Sequence, residues 1–322
     1  MPSGFRLHRP YRSTRRGVRD IEISRPGKVL FPDDGITKSD LARYYRRVAT
    51  RAVPRLRGRP LMMERHPDGI GGKPLMQKNA PDYFPDWVHT AEMSKEGGTV
   101  RHVVCDNADT LVYLAGQASV TQHRWLSKAD RPRNPDLLVF DLDPSGGADF
   151  EDVRWAASCV GGLLEEVDLP TRLMTTGSRG LHVVAALDRR ADFDTVRDFA
   201  RRVSRVLVAR HPDRLTDEAR KAARGDRIYL DIQRNAYAQT AVAPYAVRAR
   251  PGGPVAMPVS WSELNDSDLA PDRWKLADME ALEKRLRGED PWSEGTVRGR
   301  SVRAADRRLS VRAPELRDER GR

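Results

Sequence analysis

Residues 137–143 read Leu-Leu-Val-Phe-Asp-Leu-Asp, and no other stretch restricts the fold as much. An apolar run this short, ending in acid and followed by Pro144-Ser-Gly-Gly147, fits a buried strand that stops at a turn. Side chains alternate along a strand, so Asp141 and Asp143 share one face. Two carboxylates so placed repel each other, and a charge beside Leu138-Val139-Phe140 is expensive to bury unpaired. A divalent cation removes both costs, and Mg²⁺ and Mn²⁺ favour such hard oxygen ligands. Taken alone, an Asp at a strand end is more often a turn residue. The neighbouring sequence decides between the two.

That neighbourhood is patterned. Residues 150–167 carry Val153, Ala156, Val160, Leu163, Leu164 and Val167 at helical spacing. Two short strands follow, 173–176 and 181–187, joined by Thr176-Gly-Ser-Arg-Gly180. A second amphipathic helix is predicted over 194–210, then a strand over 228–232 that includes Asp231. The order β-α-β-β-α-β is a split βαβ, ferredoxin-like pattern in an α+β fold. In that pattern the last strand can lie beside the first, and three acids at neighbouring strand ends can hold two metals about 4 Å apart. The loop glycines allow close backbone approach to an anion. Ser178 and Arg179 can bind phosphate oxygens, and His182 begins the next strand.

The first half reads less clearly. A strand is expected near Ile21–Ser24, then a helix starting at Thr37-Lys-Ser-Asp40 and limited by Pro54. Residues 61–65 and 100–105 read as strands, 108–125 as largely helical, and 278–286 as a helix. Arg43, Arg47 and Arg51 make a stripe that can follow a phosphate backbone or remain a solvated face. Net charge is +11, but residues 1–20 and 298–322 each contribute +5. High basicity alone is therefore weak support for nucleic-acid binding. Cys105 and Cys159 are isolated, which excludes a disulfide framework and a Cys-x-x-Cys zinc site. No apolar run reaches membrane-spanning length, so a reduced cytoplasmic setting with no membrane is expected.

Read together, Phe140-Asp-Leu-Asp-Pro144, Thr176-Gly-Ser-Arg-Gly-Leu-His182, Leu230-Asp-Ile-Gln-Arg-Asn235 and Ala243-Pro-Tyr-Ala-Val-Arg248 resemble the polymerase domain of bacterial ligase D. That family belongs to the archaeo-eukaryotic primase superfamily. The resemblance covers about residues 21–285 and implies a primase-polymerase fold. It implies a domain over 21–290, with an N-terminal half (21–130) and a catalytic half (131–265). Residues 1–20 are then a basic extension, and 291–322 an Arg-rich tail expected to be flexible.

The resemblance also implies roles. Asp141, Asp143 and Asp231 would bind Mn²⁺ or Mg²⁺ and carry catalysis. Ser178, Arg179, His182, Arg248, His123 and Asn235 would contact the incoming nucleotide. Lys28, Lys38 and Lys78 would contact a DNA 5′-phosphate. The implied reaction is template-directed nucleotide addition, ribonucleotides preferred, at gaps or 3′ overhangs in non-homologous end joining beside Ku and a separate ligase at the nucleoid. A primase or gap-filling polymerase outside end joining is the alternative enzyme; a non-catalytic DNA-end binding module is the alternative class. The chain departs from the family at Leu75 and Met76, where two aromatics often stack on template, and at Arg179, where Lys is common. With no ligase or nuclease sequence, a stand-alone polymerase module is expected.

Overall fold

The computed structural model describes residues 19–293 and 298–313. The basic extension over 1–18 lies outside the described residues. The first half begins with β1 (Val29–Phe31) and β2 (Ile36–Thr37), which lead into α1 (Lys38–Leu56). Thr37 and Asp40 form a reciprocal capping box, each side chain accepting from the other's backbone N–H. Pro54 does not end α1; the helix runs through it to Leu56. Strands β3 (Leu61–Arg65) and β4 (Leu75–Gln77) follow, then a hairpin of β5 (Thr90–Lys95) and β6 (Gly98–Val103).

Next come α2 (Ala108–Gly116) and β7 (Ser119–Trp125). The helix expected over 108–125 is thus a helix and a strand. Ala118 takes a left-handed conformation (φ 55°) between them, and alternation in Ser-Val-Thr-Gln-His-Arg-Trp carries the rest. No strand forms over residues 21–24.

The second half contains β8 (Leu137–Asp143), α3 (Phe150–Glu166), β9 (Thr171–Thr175), β10 (Leu181–Ala186), α4 (Phe193–Arg210), β11 (Leu215–Thr216) and β12 (Ile228–Asp231). It continues through β13 (Thr240–Val242), β14 (Pro258–Val259), α5 (Met279–Arg287) and α6 (Val302–Arg312). The large sheet is ordered β11-β12-β8-β10-β9-β14. Its core, β12-β8-β10-β9, is antiparallel and has the fourth-first-third-second order of a split βαβ unit. Leu138, Phe140 and Leu142 are fully buried on the face packed by α3 and α4. The alternate residues, Asp141 and Asp143, point the other way.

What they face is a second sheet, ordered β13-β7-β3-β4. Its outer side is covered by α1 and α2; Tyr45 donates to Val120 O at 2.6 Å, and Tyr44 to Tyr245 O at 2.8 Å. Strand β13 leaves the predicted catalytic half and pairs with β7 of the first, Val242 opposite His123. The halves therefore share a sheet and are not independent units.

Part of the C-terminal stretch expected to be flexible is helical, while residues 294–297 and 314–322 lie outside the described residues. Helix α6 packs on α4, and Arg202 pairs with Asp306. The arginine stripe on α1 turns out to be structural. Arg47 holds Glu283 of α5 in a fork at 3.1–3.2 Å, and Arg51 donates to Gly288 O. Arg43 pairs with Asp40 of its own helix. The double substitution Arg47→Ala, Arg51→Ala should therefore speed amide exchange across α5. The slope of log affinity for DNA against log salt should change by less than about half a unit, because each lost phosphate contact would change it by about 0.9.

Candidate active site

Strand register brings three distant sequence segments into one row. Asp141 on β8 lies directly opposite His182 on β10 and directly opposite Asp231 on β12. His182 Nε2 meets Asp141 Oδ1 at 3.2 Å, and Arg234 Nε donates to Asp141 Oδ2 at 3.3 Å. The carboxylate of Asp231 accepts from Gln233 N at 2.7 Å.

The electrostatics follow from burial and proximity. Burial alone would raise the Asp141 pKa, but His182 and then Arg234 outweigh it and hold the carboxyl below its usual range. For Asp143 the balance is reversed: burial and then the Asp141 charge raise its pKa, and Arg179 and His182 offset this only in part. Burial, then Asp141, also raises Asp231. Two of the three acids thus carry a repulsion that protein cations do not cancel. A donor set of hard carboxylate oxygens with that surplus fits a divalent cation. Among the described residues, no three acidic, imidazole or thiol side chains converge on one point.

Asp141, Asp143 and His182 open into a cavity of 340 Å³ between the two sheets; Asp231 is not among its lining residues. The catalytic sheet and its loop supply Asp141, Asp143, Thr176, Ser178, Arg179 and His182; the other sheet supplies Met62, Met76, His123, Thr240 and Val242. Arg234, Arg248 and Arg250 complete the wall. Acids on one side and arginines around them suit a ligand that carries metal and phosphate together.

The loop glycines have steric duties. Gly177 adopts φ 62°, and a side chain there would strike Arg248 and the Val255–Ala256 backbone. Any side chain at Gly180 would run into the Leu142 carbonyl. Thr176 Oγ1 ties the loop by accepting from Gly180 N at 3.2 Å, and Arg248 donates to Thr176 O at 2.7 Å. Arg248 therefore supports the loop that carries Ser178 and Arg179 while lining the cavity itself.

His123 is positioned by Glu64, a residue that belongs to none of the sequence motifs. Glu64 Oε2 accepts from His123 Nε2 at 3.1 Å, and Glu64 Oε1 lies 3.1 Å from His66 Nε2. Burial opposes the Glu64 charge, but His123 and then His66 hold it ionised, well below the usual carboxylate range. Burial lowers the His123 pKa, the Glu64 hydrogen bond works against that, and the Glu64 carboxylate accepts from Nε2–H. Only the pairing of β3 with β7, Met62 opposite His123, brings Glu64 within reach of that ring.

Two sequence assignments need correction. Asn235 does not line the cavity, where the resemblance would put it against a nucleotide. It is fully buried, accepts from Val139 N at 2.9 Å and donates to Val139 O at 2.7 Å and Ile232 O at 3.0 Å. Pairing of β12 with β8 ends at Asp231, and the Asn235 amide takes over the ladder from there. The three lysines do not form one cluster either. Lys28 and Lys38 are neighbours, Lys38 N donating to Lys28 O at 2.9 Å. Burial lowers the Lys38 pKa, and Arg25, Lys28 and Arg65 lower it further. Lys38 Nζ donates to Ser24 O at 2.6 Å, and Lys28 reaches Asp68 at 3.5 Å. Lys78 is exposed beyond β4, within electrostatic reach of His102. Arg25 and Arg65 lie within electrostatic reach of Lys38, and Arg65 donates to Gln77 Oε1, beside Lys78, at 2.6 Å.

The model of the LigD primase-polymerase domain matches residues 37–292. The chain belongs to the LigD primase-polymerase family. It is 31% identical over 296 residues to the multifunctional non-homologous end joining protein LigD of Pseudomonas aeruginosa, covering 92% of this chain and 35% of that protein. The LigD of Mycolicibacterium smegmatis is 31% identical over 77% of this chain, which spans 33% of it. The chain thus spans about a third of the length of these relatives. Its fold is similar to the polymerase domain of Mycobacterium tuberculosis ligase D, solved in complex with DNA, with a TM-score of 0.78 and 30% identity. The match covers 84% of this chain and 96% of that one. The primase-polymerase domain of LigD is a nucleotidyltransferase, and the α+β fold expected from sequence is the fold of that family. Among the described residues no helix is long and apolar enough to cross a membrane.

Replacing Asn235 by Ala leaves Val139 N–H buried without a partner, so the variant should lose about 1–3 kcal/mol of stability. Urea unfolding should show a lower midpoint at unchanged slope.

Proposed function

We propose that this domain extends a DNA primer at gaps and broken ends, using template and a nucleoside triphosphate. The observation that carries the proposal is the row Asp231–Asp141–His182 across three adjacent strands. Asp141, Asp143 and Asp231 would hold Mn²⁺ or Mg²⁺. When bound, such ions offset the charge on the nucleotide phosphates and favour the ionised primer 3′-hydroxyl.

The chain's own groups do the rest. Ser178 and Arg179 would take triphosphate oxygens from the loop that Thr176 and Arg248 hold in shape. His182, paired with Asp141 through Nε2, lines the same cavity and would donate to a phosphate oxygen from its other ring nitrogen. His123, fixed by Glu64, would orient the nucleotide from the opposite sheet. Attack by the 3′-hydroxyl on the α-phosphate then releases pyrophosphate.

The DNA side is read from the basic group. Lys28 and Lys38, with Arg25 and Arg65, would receive the 5′-phosphate on the far side of a gap. Burial, and then repulsion by Arg25, Lys28 and Arg65, lowers the Lys38 pKa, and an incoming dianion would relieve that repulsion. A preference for ribonucleotides, work beside Ku and a separate ligase, and a place on the nucleoid in the cytoplasm all belong to this proposal. They rest on similarity to LigD proteins named for non-homologous end joining. DNA as the substrate is supported by the similar Mycobacterium tuberculosis domain, whose structure was solved with DNA bound.

Substituting Asp141→Ala with Asp143→Ala should abolish extension of a 5′-phosphorylated gapped duplex, as should a chelator in the wild-type reaction. Extension by the double variant would overturn the proposal. Leu75 and Met76 are each 48% exposed on β4, and Met76 lines the cavity. Restoring aromatics (Leu75→Phe, Met76→Phe) should strengthen template binding by about 1–3 kcal/mol per stacked base, seen as a lower KM for gapped DNA.

A further inference from the structure

The face of the large sheet that carries Asp141 also runs the other way along β8. Leu137 lies on it, four residues and about 13 Å from Asp141. There, below β8, β9 and β10 and beside the end of α1, is a second cavity of 320 Å³. Six cationic side chains line it: Arg55, Arg59, Arg124, Lys128, Arg172 and Arg189.

The carboxylates around it do not match that charge. Asp136 takes Arg59 in a fork at 2.6 and 2.8 Å. Asp290 meets Arg55 at 3.5 Å, and Asp130 pairs with Arg189. Leaving aside Arg172, which has a further interaction, three acids face five bases among the described residues, so a positive surplus remains in and around one concave space.

Donor bookkeeping points the same way. The Nε–H groups of Arg55, Arg124 and Arg189 are buried and have no hydrogen-bond partner. Arg124 is 3% exposed, and its guanidinium donates from Nη1 to Arg55 O at 2.7 Å. Burial and then the Arg59 charge work against its positive form, yet an arginine stays protonated in a protein. Unpaired buried donors on charged groups are costly, and a bound anion offsets that cost. Arginine forks match the oxygens of a phosphoryl group better than a single carboxylate would. The Arg55 and Arg172 guanidinium groups both lie over the Trp292 ring, which keeps one wall rigid.

We propose that this cavity is a second anion site, specific for a phosphoryl group, at the opposite end of the sheet from the carboxylate row. The inference does not depend on how the carboxylate row is read. The phosphoryl group belongs either to a small free anion or to a nucleic-acid backbone, and the experiment separates the two.

Inorganic pyrophosphate is titrated calorimetrically into the full chain, with chelator present and chloride as the only other anion. A 5′-hydroxyl DNA duplex is titrated in parallel. Three proteins are compared: wild type, Arg172→Gln with Lys128→Gln, and Arg248→Ala as a control for the nucleotide cavity. A free anion is the occupant if pyrophosphate binds wild type and Arg248→Ala alike but about tenfold more weakly to the double variant, the loss expected for one to two charge-assisted pairs. A backbone phosphate is the occupant if duplex affinity falls about tenfold in the double variant while pyrophosphate competes with duplex on wild type. If neither titration responds to the double substitution, the arginines are structural and the proposal is overturned. Circular dichroism checks folding of each variant; should the double variant unfold, Arg189→Gln alone, on a half-buried residue paired with exposed Asp130, replaces it under the same criteria.

Discussion

A charged carboxylate on a buried strand is the constraint that organises this molecule. Asp141 is 6% exposed in the middle of a six-stranded sheet. A charge there survives only if neighbours compensate it. His182 and Arg234 supply that compensation, one from the adjacent strand and one from the turn after β12. Asp143 and Asp231 receive less, and Asp141 repels both. The row is therefore balanced at one member and unbalanced at the other two. That imbalance is what makes it a place for cations and phosphates.

Two sheets facing each other give the row its setting. The catalytic sheet contributes acids and the glycine loop; the other sheet contributes His123 with its Glu64 support and the apolar Met62 and Met76. Strand β13 stitches them, because it leaves the catalytic half and pairs in the other sheet. Arginines act as struts in the same design. Arg47 and Arg51 hold α5, Arg59 grips Asp136, and Arg248 braces the Thr176 loop. Much of the positive charge between the termini is spent inside the fold rather than offered to a ligand.

Local patterns were legible where a single element sets them. Period-2 alternation put Asp141 and Asp143 on one face, and the Thr37–Asp40 spacing marked the start of α1. Patterns were misread where a partner decides. Pro54 sits inside α1 because packing of Val53 and Leu56 into the core outweighs the helix hydrogen bond it lacks. The arginine stripe looked like a phosphate track because Glu283 and Gly288 lie more than two hundred residues away in sequence. Asn235 stood in a motif with Asp231 yet serves the backbone of Val139. Glu64 carried no motif, and its contact with His123 follows from the β3–β7 register, which sets Met62 opposite His123 and Glu64 two residues along the same face.

The sequence by itself determined the element order of the catalytic half, the shared face of Asp141 and Asp143, and the family. Each depends on short-range periodicity or on motifs kept in order along the chain. The tertiary structure alone decided that Asp231 and His182 flank Asp141, that Lys28 and Lys38 group with Arg25 and Arg65, and which arginines brace the fold and which line a cavity. Those facts depend on register and on distances between residues far apart in the chain. No local preference encodes them, because the energy that selects them comes from burying charge and apolar surface together in the finished fold.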